Sequence, residues 1–353
     1  MTTDELFMRR ALQLARMGEG FTSPNPIVGA VIVARGRVIG QGYHRRCGGP
    51  HAEVWAVRSV AQADVYLLKE ATVYVTLEPC SHYGKTPPCA DMLVRTGVKR
   101  VVVGCLDPNP KVSGRGVRIL RDAGVDVVTD VLRDECFNAN RRFMVAQLLK
   151  RPYVLLKWAS SADGYLDAKR LDVHAPPVKF STPLSLQSMH AVRALCDAIM
   201  VGAGTVIADD PSLTIRFATG LQPRPVIMDR RGCVPDGAKL FQRPGAIYVT
   251  SNKRSDLPVG VMQIIVSPDA SISEVLEALR AQGISSIMVE GGAELLTAFI
   301  ETNQWDDARV EVAPCELGER GVGHVDLPQG IITTEQVAGG NVIINVKKPR
   351  FVQ

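Results

Sequence analysis

The sequence predicts an α/β protein of two domains, and three observations carry that reading. Segments with helical spacing of apolar residues alternate with short apolar strands along almost the whole chain. Its 353 residues exceed one ordinary domain, since domains run to roughly 100–200 residues. The alternation is interrupted at Lys150-Arg151-Pro152, where proline removes a helix donor and restricts the residue before it. The join is therefore placed near residues 147–152, giving domains 1–147 and 148–353.

Leu6, Phe7, Ala11, Leu14 and Ala15 mark a first helix over 4–17. Thr22-Ser23-Pro24-Asn25-Pro26 breaks it, and residues 28–33 and 37–42 form a hairpin around Arg35-Gly36. A helix is expected from Ala52, a strand at Thr72–Leu77, a helix at Cys89–Thr96 and a strand at 100–104. A helix at 115–123, a strand at 125–128 and one long helix over 134–149 complete the first half. After the join, strands are expected at 153–158, 198–201, 225–228, 246–250, 263–266, Ser286–Val289 and 309–312. The least regular stretch, 167–183 with Pro176-Pro177, is expected to be an ordered surface loop.

Composition removes several classes of function. With 46% hydrophobic and 22% charged residues, global disorder, collagen and coiled coil are excluded. A net charge of +5 is weak for this length: it admits phosphate-bearing ligands but not the clustered basic face of a nucleic-acid binder. Aromatics, at 5%, are too sparse for a base-stacking groove. The N-terminus has no signal-peptide core, and no apolar run reaches the ~18 residues of a membrane span. A cytoplasmic protein with no membrane and no nucleic-acid partner is expected. In a reducing compartment its 8 cysteines are not a disulfide framework, so each is core filler, reactive thiol or metal ligand.

His51-Ala52-Glu53 opens a predicted helix, Pro79-Cys80 follows a strand, and Cys89 starts the next helix. One imidazole and two thiolates make a three-ligand Zn2+ set with the fourth position left to water, whose pKa zinc lowers towards neutrality. Glu53 stands two residues from the histidine, placed to shuttle protons as the catalytic residue. This is the H-x-E…P-C…C pattern of zinc-dependent deaminases, with a longer loop between the cysteines. Singly, each residue has a structural alternative, a buried cysteine or a helix-capping histidine. Together with Glu53 and Pro79 they are read as a metal site. His82 is not needed as a ligand, because three suffice. Cys47, Cys105, Cys136, Cys196, Cys233 and Cys315 lack paired spacing and are read as core or incidental.

With these residues go Ser23-Pro24-Asn25-Pro26, Gly42-Tyr43-His44, Leu77-Glu78-Pro79-Cys80-Ser81-His82, Lys85-Thr86-Pro87-Pro88-Cys89 and Asp107-Pro108-Asn109-Pro110. On these motifs nearly all of residues 1–147 resembles the deaminase half of the bifunctional riboflavin-biosynthesis deaminase–reductase family. The resemblance implies a cytidine-deaminase-like three-layer fold and a pyrimidine substrate bearing a ribose phosphate. It also implies that Asn25, His44, Lys85, Asp107 and Asn109 hold the ring and the ribose phosphate. Read alone, Asn25 and Asn109 sit beside prolines as turn residues would.

The second half resembles the same family's reductase domain, whose fold is similar to dihydrofolate reductase. The matching residues are Lys157-Trp158-Ala159-Ser160-Ser161, Asp163-Gly164, Gly202-Ala203-Gly204-Thr205-Val206, Ala208-Asp209-Asp210-Pro211, Leu213-Thr214, Arg216, Val289-Glu290-Gly291-Gly292 and Ala313-Pro314. The resemblance implies that Ala159, Thr205, Asp209 and the stretch from Gly292 contact NADPH, and that Arg193, Leu213, Arg216 and Glu290 contact the substrate. Independently, Gly292 follows a strand and starts a helix, where amides and the helix dipole favour an anion. Such glycines also serve ordinary strand-to-helix turns.

Three departures from the family stand out. Tyr165 follows Asp163-Gly164 where arginine or lysine is usual, Val178-Lys179-Phe180-Ser181-Thr182 lacks the expected tryptophan, and Arg230 replaces a serine. Arg230-Arg231 offers charge to the 2′-phosphate of NADPH, or is simply an exposed basic pair. The expected function is zinc-dependent deamination of a phosphorylated pyrimidine followed by NADPH-dependent reduction of its ribosyl group, in a homo-oligomer, dimer or tetramer. The alternative is a deaminase whose reductase-like half is silent or repurposed.

Overall fold

The computed structural model describes residues 1–82, 87–109, 113–170, 172, 175–337 and 339–349. Two compact units divide the chain, Met1–Lys150 and Arg151–Gln353.

In the first unit a five-stranded sheet is the middle of three layers. Helix α1 (Thr3–Arg16) starts at a capping box between Thr2 and Glu5, which satisfies amides that a helix start leaves open. β1 (Gly29–Ala34) and β2 (Arg37–Tyr43) form the expected antiparallel hairpin. Then come α2 (Ala52–Arg58), β3 (Thr72–Leu77), α3 (Cys89–Thr96), β4 (Arg100–Cys105), α4 (Arg115–Asp122) and β5 (Asp126–Val128). The strand order is β2-β1-β3-β4-β5, with β3, β4 and β5 parallel. Both faces are covered, so β1 is buried along its whole length. Ala30 and Ile32 pack with Ala52, Ala56, Ala90 and Leu93 of α2 and α3. Val31 and Val33, pointing the other way, pack with Met8, Ala11 and Leu12 of α1.

The stretch 134–149 is not one helix. It forms α5 (Arg133–Ala139) and α6 (Arg141–Leu148), parted at Asn140. The Asn140 amide oxygen accepts from the Ile27 N–H at 2.8 Å, and its Nδ2 donates to the Ile27 carbonyl at 2.9 Å. These two buried bonds hold Asn140 at φ −99° and ψ 17°, off the helical path. Helix α6 continues to Leu148, and the units part between Lys150 and Arg151. A 3-10 helix over Gln62–Glu70 was not anticipated by the apolar pattern.

The second unit is built on a nine-stranded sheet. Its elements are β6 (Tyr153–Ser160), β7 (Tyr165–Ala168), α7 (Pro183–Arg193), β8 (Ala198–Gly202), α8 (Ala203–Asp209), β9 (Arg224–Met228), β10 (Ile247–Thr250) and β11 (Met262–Ile265). They continue with α9 (Ile272–Ala281), β12 (Ser286–Val289), α10 (Ala293–Glu301), β13 (Asp307–Val312), β14 (Gly321–His324), β15 (Ile331–Gln336) and β16 (Val342–Lys347). The order is β11-β10-β9-β8-β12-β6-β13-β16-β15, parallel from β11 to β13 and antiparallel beyond. Val154, Leu156 and Trp158 face α9 and α10, while Ile199, Val201 and Ile227 face Leu240 and Phe241 on the other side.

β7 and β14 form a separate two-stranded ribbon. It explains Tyr165: the ring packs edge-on to His324, and a Cβ at Gly321 would lie 2.3 Å from that ring. Only glycine at 321 leaves room for the tyrosine. The expected loop 167–183 starts inside β7, and residues 171, 173 and 174 lie outside the described ones. Its far end is not on the surface, because Phe180 is 8% exposed. Among the described residues, no helix is long and apolar enough to cross a membrane.

Candidate active sites

In the first unit the predicted zinc ligands meet. His51 caps α2, Cys89 is the first residue of α3, and Cys80 follows the end of β3. His51 Nδ1 lies 3.5 Å from Cys80 Sγ and 3.4 Å from Cys89 Sγ, and all three ligand atoms fall within 4.8 Å of one another. Tetrahedral zinc with bonds of ~2.3 Å to sulfur and ~2.0–2.1 Å to nitrogen needs S···N separations of about 3.5 Å. The donor set fits the ion. Cys89 N–H also donates to Cys80 Sγ at 3.3 Å. The Cys80 thiol is pushed well below its ordinary range, first by the hydrogen bond that the Cys89 thiol donates to it, and giving that bond pushes Cys89 up. Two adjacent thiolates repel, and a divalent cation between them removes that conflict. All eight cysteines are free, with Cys105, Cys136 and Cys196 buried and Cys47, Cys233 and Cys315 exposed.

Glu53 lies in the first turn of α2 and is 3% exposed. Burial, then the nearby Cys80 charge, raises its carboxyl to about 7. A group so poised can give and take protons near neutral pH.

Asn25 and His44 stand beside this cluster. His44 Nδ1 donates to the Pro50 carbonyl at 3.0 Å, which leaves Nε2 to accept from the Asn25 amide at 3.2 Å. The ring packs edge-on to His51 with centroids 5.5 Å apart. Burial lowers the His44 pKa, favouring the neutral ring. Asp107 Oδ1 accepts from Asn109 N–H at 2.8 Å, and burial raises the Asp107 pKa. The Cys80 and His82 charges act on Asp107, so this turn faces the same site. Lys85 lies outside the described residues.

In the second unit a cleft of about 810 Å³ opens at the C-terminal ends of β6, β8, β9 and β12, where open parallel sheets bind ligands. Ala159, Thr205, Asp209, Gly292 and Glu290 all line it, as do Arg230 and Arg231. Thr205 Oγ1 accepts from Gly292 N–H at 3.1 Å, tying the starts of α8 and α10 together. Arg193, Leu213 and Arg216 are not among the residues lining the cleft. Arg193 is buried behind Glu290: Nε and NH2 bond its carboxylate at 2.8–3.2 Å, and NH1 donates to the Thr214 carbonyl at 2.8 Å. Its guanidinium is already engaged, so the residue holds Glu290 and the 212–216 turn. Leu213 is buried in that turn at φ 49°, and Arg216 bonds Ser212 from an exposed position.

Two features were not legible in the sequence. Arg170 lines the cleft and bridges Asp167 and Asp209 at 2.6 and 2.7 Å, a pairing across 39 residues. Lys157 also lines it, and its charge acts on Glu290, Glu311 and His190. Its place at the end of β6 was the available signal. The segment lacking tryptophan is anchored otherwise: Glu311 accepts from Ser181 Oγ and Ser185 Oγ at 2.5 Å and from Asn341 Nδ2 at 2.6 Å. Asn341 Nδ2 also donates to the Phe180 carbonyl at 2.8 Å.

Comparison with known proteins finds relatives of both units. Residues 1–105 match the cytidine and deoxycytidylate deaminase zinc-binding region, and residues 152–337 match the RibD C-terminal domain. The riboflavin biosynthesis protein RibD of Aquifex aeolicus is 39% identical over 322 residues, covering 90% of this chain and 88% of its own. That of Escherichia coli is 36% identical over 343 residues, 92% and 91% respectively. A structure of Acinetobacter baumannii RibD superposes with a TM-score of 0.88 at 34% identity, over 98% of this chain and 99% of that one. A Thermotoga maritima diaminohydroxyphosphoribosylaminopyrimidine deaminase/5-amino-6-(5-phosphoribosylamino)uracil reductase gives 0.84 at 35%, over 98% and 99%. The chain belongs to the RibD family of riboflavin-biosynthesis enzymes, bifunctional proteins that join a zinc-dependent deaminase to an NADPH-dependent reductase.

Proposed function

We propose that the first unit hydrolytically deaminates 2,5-diamino-6-ribosylamino-4(3H)-pyrimidinone 5′-phosphate, and that the second reduces the ribosyl group of the product to ribityl. The observation that carries this reading is the meeting of His51, Cys80 and Cys89 around one point with the buried Glu53 carboxyl beside them. His51, Cys80 and Cys89 hold zinc, which when bound supplies a Lewis acid able to activate water near neutral pH. Glu53 takes a proton from the attacking water and returns it to the departing amino nitrogen, so that ammonia leaves the ring carbon. Neutral His44, with its tautomer set by Pro50, and the Asn25 amide orient the ring. Asp107, Asn109 and Lys85 complete the substrate-binding set.

In the second unit NADPH, when bound, supplies the hydride. Ala159, Thr205, Asp209 and Gly292 form its bed, with Asp209 steadied by Arg170. Arg230 and Arg231 offer positive charge to its 2′-phosphate. Glu290 faces the substrate, while Arg193 acts through it rather than by direct contact. Leu213 and Arg216 frame the substrate side through the turn that Arg193 holds. A cytoplasmic homo-oligomer, dimer or tetramer, completes the proposal. The edge strand β15 supports assembly, since it is exposed throughout and carries Ile331 and Ile332 at 61% and 53% exposure.

The test supplies the purified protein with the diamino substrate, then with the deaminated intermediate and NADPH. Ammonia release in the first and NADPH oxidation in the second are expected. Deamination without any NADPH oxidation would leave only the first half of the proposal standing.

A further inference from the structure

We infer that Glu78 is a positioning residue for the deamination, clamping residues 107–109 and 114–117, with Asp107 and Asn109, against the zinc site. The inference rests on the reading of those two residues as substrate-binding. Glu78 follows β3, two residues before Cys80, and is 5% exposed. Its carboxylate meets backbone amides alone in the described contacts. Oε2 accepts from Asp107 N–H at 3.2 Å and from Gly114 N–H at 2.9 Å. Oε1 accepts from Gly116 N–H at 2.9 Å and from Val117 N–H at 3.3 Å. The residue's own N–H donates to the Cys105 carbonyl at 2.9 Å, so its backbone is fixed as well.

These bonds gather Asp107 and the 114–117 segment onto a single side chain. At one end Asp107, bonded through its N–H to Glu78, turns its side chain to the Asn109 amide at 2.8 Å. At the other, Gly114 turns at φ 76° into α4, and the first amides of that helix close on Glu78 Oε1. The loop is also pressed against the residue before Cys80: a Cβ on Gly116 would stand 2.0 Å from the Pro79 carbonyl oxygen. Four donors and a charged acceptor make strong bonds. Binding only amides fixes the backbone at Asp107, two residues from Asn109, where the proposed substrate contacts lie. Glutamine would not substitute, because its NH2 would face two of the four N–H donors.

The experiment uses the full chain loaded with zinc and compares Glu78→Gln, Gly116→Ala and Asn109→Ala. Deaminase kcat and KM, zinc content and the reductase rate on the deaminated intermediate are read for each. For Glu78→Gln, KM for deamination should rise about 10- to 100-fold, the scale of loss for a misplaced binding group, and kcat should change less. Zinc content and reductase rate should match the parent. Gly116→Ala keeps the carboxylate but sets a Cβ 2.0 Å from the Pro79 carbonyl oxygen and 3.3 Å from Glu78 Oε1, so it should displace residues 114–117 and repeat this pattern, and it decides the matter if Glu78→Gln does not fold. A deaminase KM within twofold of the parent in the folded variants would overturn the inference, as would loss of zinc. Asn109→Ala separates the two levels. If its KM is unchanged, the reading of the loop as substrate-binding fails; if its KM rises while Glu78→Gln is unaffected, only the clamp fails.

Discussion

Replacing Arg193 by methionine removes the cation behind Glu290 while keeping most of the side-chain volume. The pair is buried, at 9% and 11% side-chain exposure, and Arg193 makes three bonds to the carboxylate besides one to Thr214. Breaking such a pair by deleting one partner costs about 3–5 kcal/mol, because it strands a buried charge. For a slope of about 2–3 kcal/mol per molar urea, the midpoint for loss of reductase activity should fall by about 1–2.5 M. Reductase kcat/KM should fall about 100-fold at concentrations of urea that leave the unit folded. The pH profile should move as well. Burial alone would raise the Glu290 pKa, but the Lys157 and Arg193 charges hold it below the ordinary value. Its folded-state pKa thus lies below the unfolded one, so the pair's contribution is complete above the unfolded carboxylate range and fades as pH falls through the folded value. Without Arg193 that acid limb should shift to higher pH. Deamination by the same protein serves as the control and should not change. An unshifted midpoint with parental reductase kinetics would refute the argument.

Three further outcomes are expected. Glu53→Gln should retain its zinc by metal analysis yet lose about 100- to 10,000-fold in ammonia release; parental activity would contradict its role in proton transfer. Arg230→Ser should weaken NADPH but not NADH, lowering the preference about 10-fold in fluorescence titration and in kinetics, whereas equal loss for both would remove the 2′-phosphate assignment. Asn140→Ala leaves the Ile27 N–H and carbonyl unpaired in the interior. It should cost about 2–4 kcal/mol, at about 1–2 kcal/mol for each lost buried bond, seen as faster thermal loss of deaminase than of reductase activity.

The zinc site was legible because its chemistry constrains residue type more tightly than folding does. His51, Glu53, Cys80 and Cys89 lie at ends of elements whose bounds the apolar pattern marks well, such as Thr72–Leu77 and Cys89–Thr96. The break at Asn140 was not legible. Residues 134–149 have helical character throughout, and what parts them is a pair of bonds to Ile27, 113 residues away. The C-terminal strand β15 escaped for another reason. An exposed edge strand has little apolar alternation to detect, and all of β15 is exposed. In the reductase half, the glycine and acidic residues marked the cleft, but what engages each side chain did not show. The resemblance implies Arg193 as a contact of the substrate and Asp209 as one of NADPH, with nothing to show what else holds them. Their partners, Glu290 and Arg170, lie 97 and 39 residues away and emerge only with the fold.

The central claim is that one chain carries two chemically separate reactions, the first through His51, Cys80 and Cys89. Stripping zinc with a chelator and restoring it, while following both rates on their own substrates, tests this most directly. Ammonia release should vanish and return with about one zinc per chain, and NADPH oxidation on the deaminated intermediate should stay at its starting rate throughout. Deamination that survives complete zinc removal, or a reductase rate that falls and recovers with it, would contradict the account.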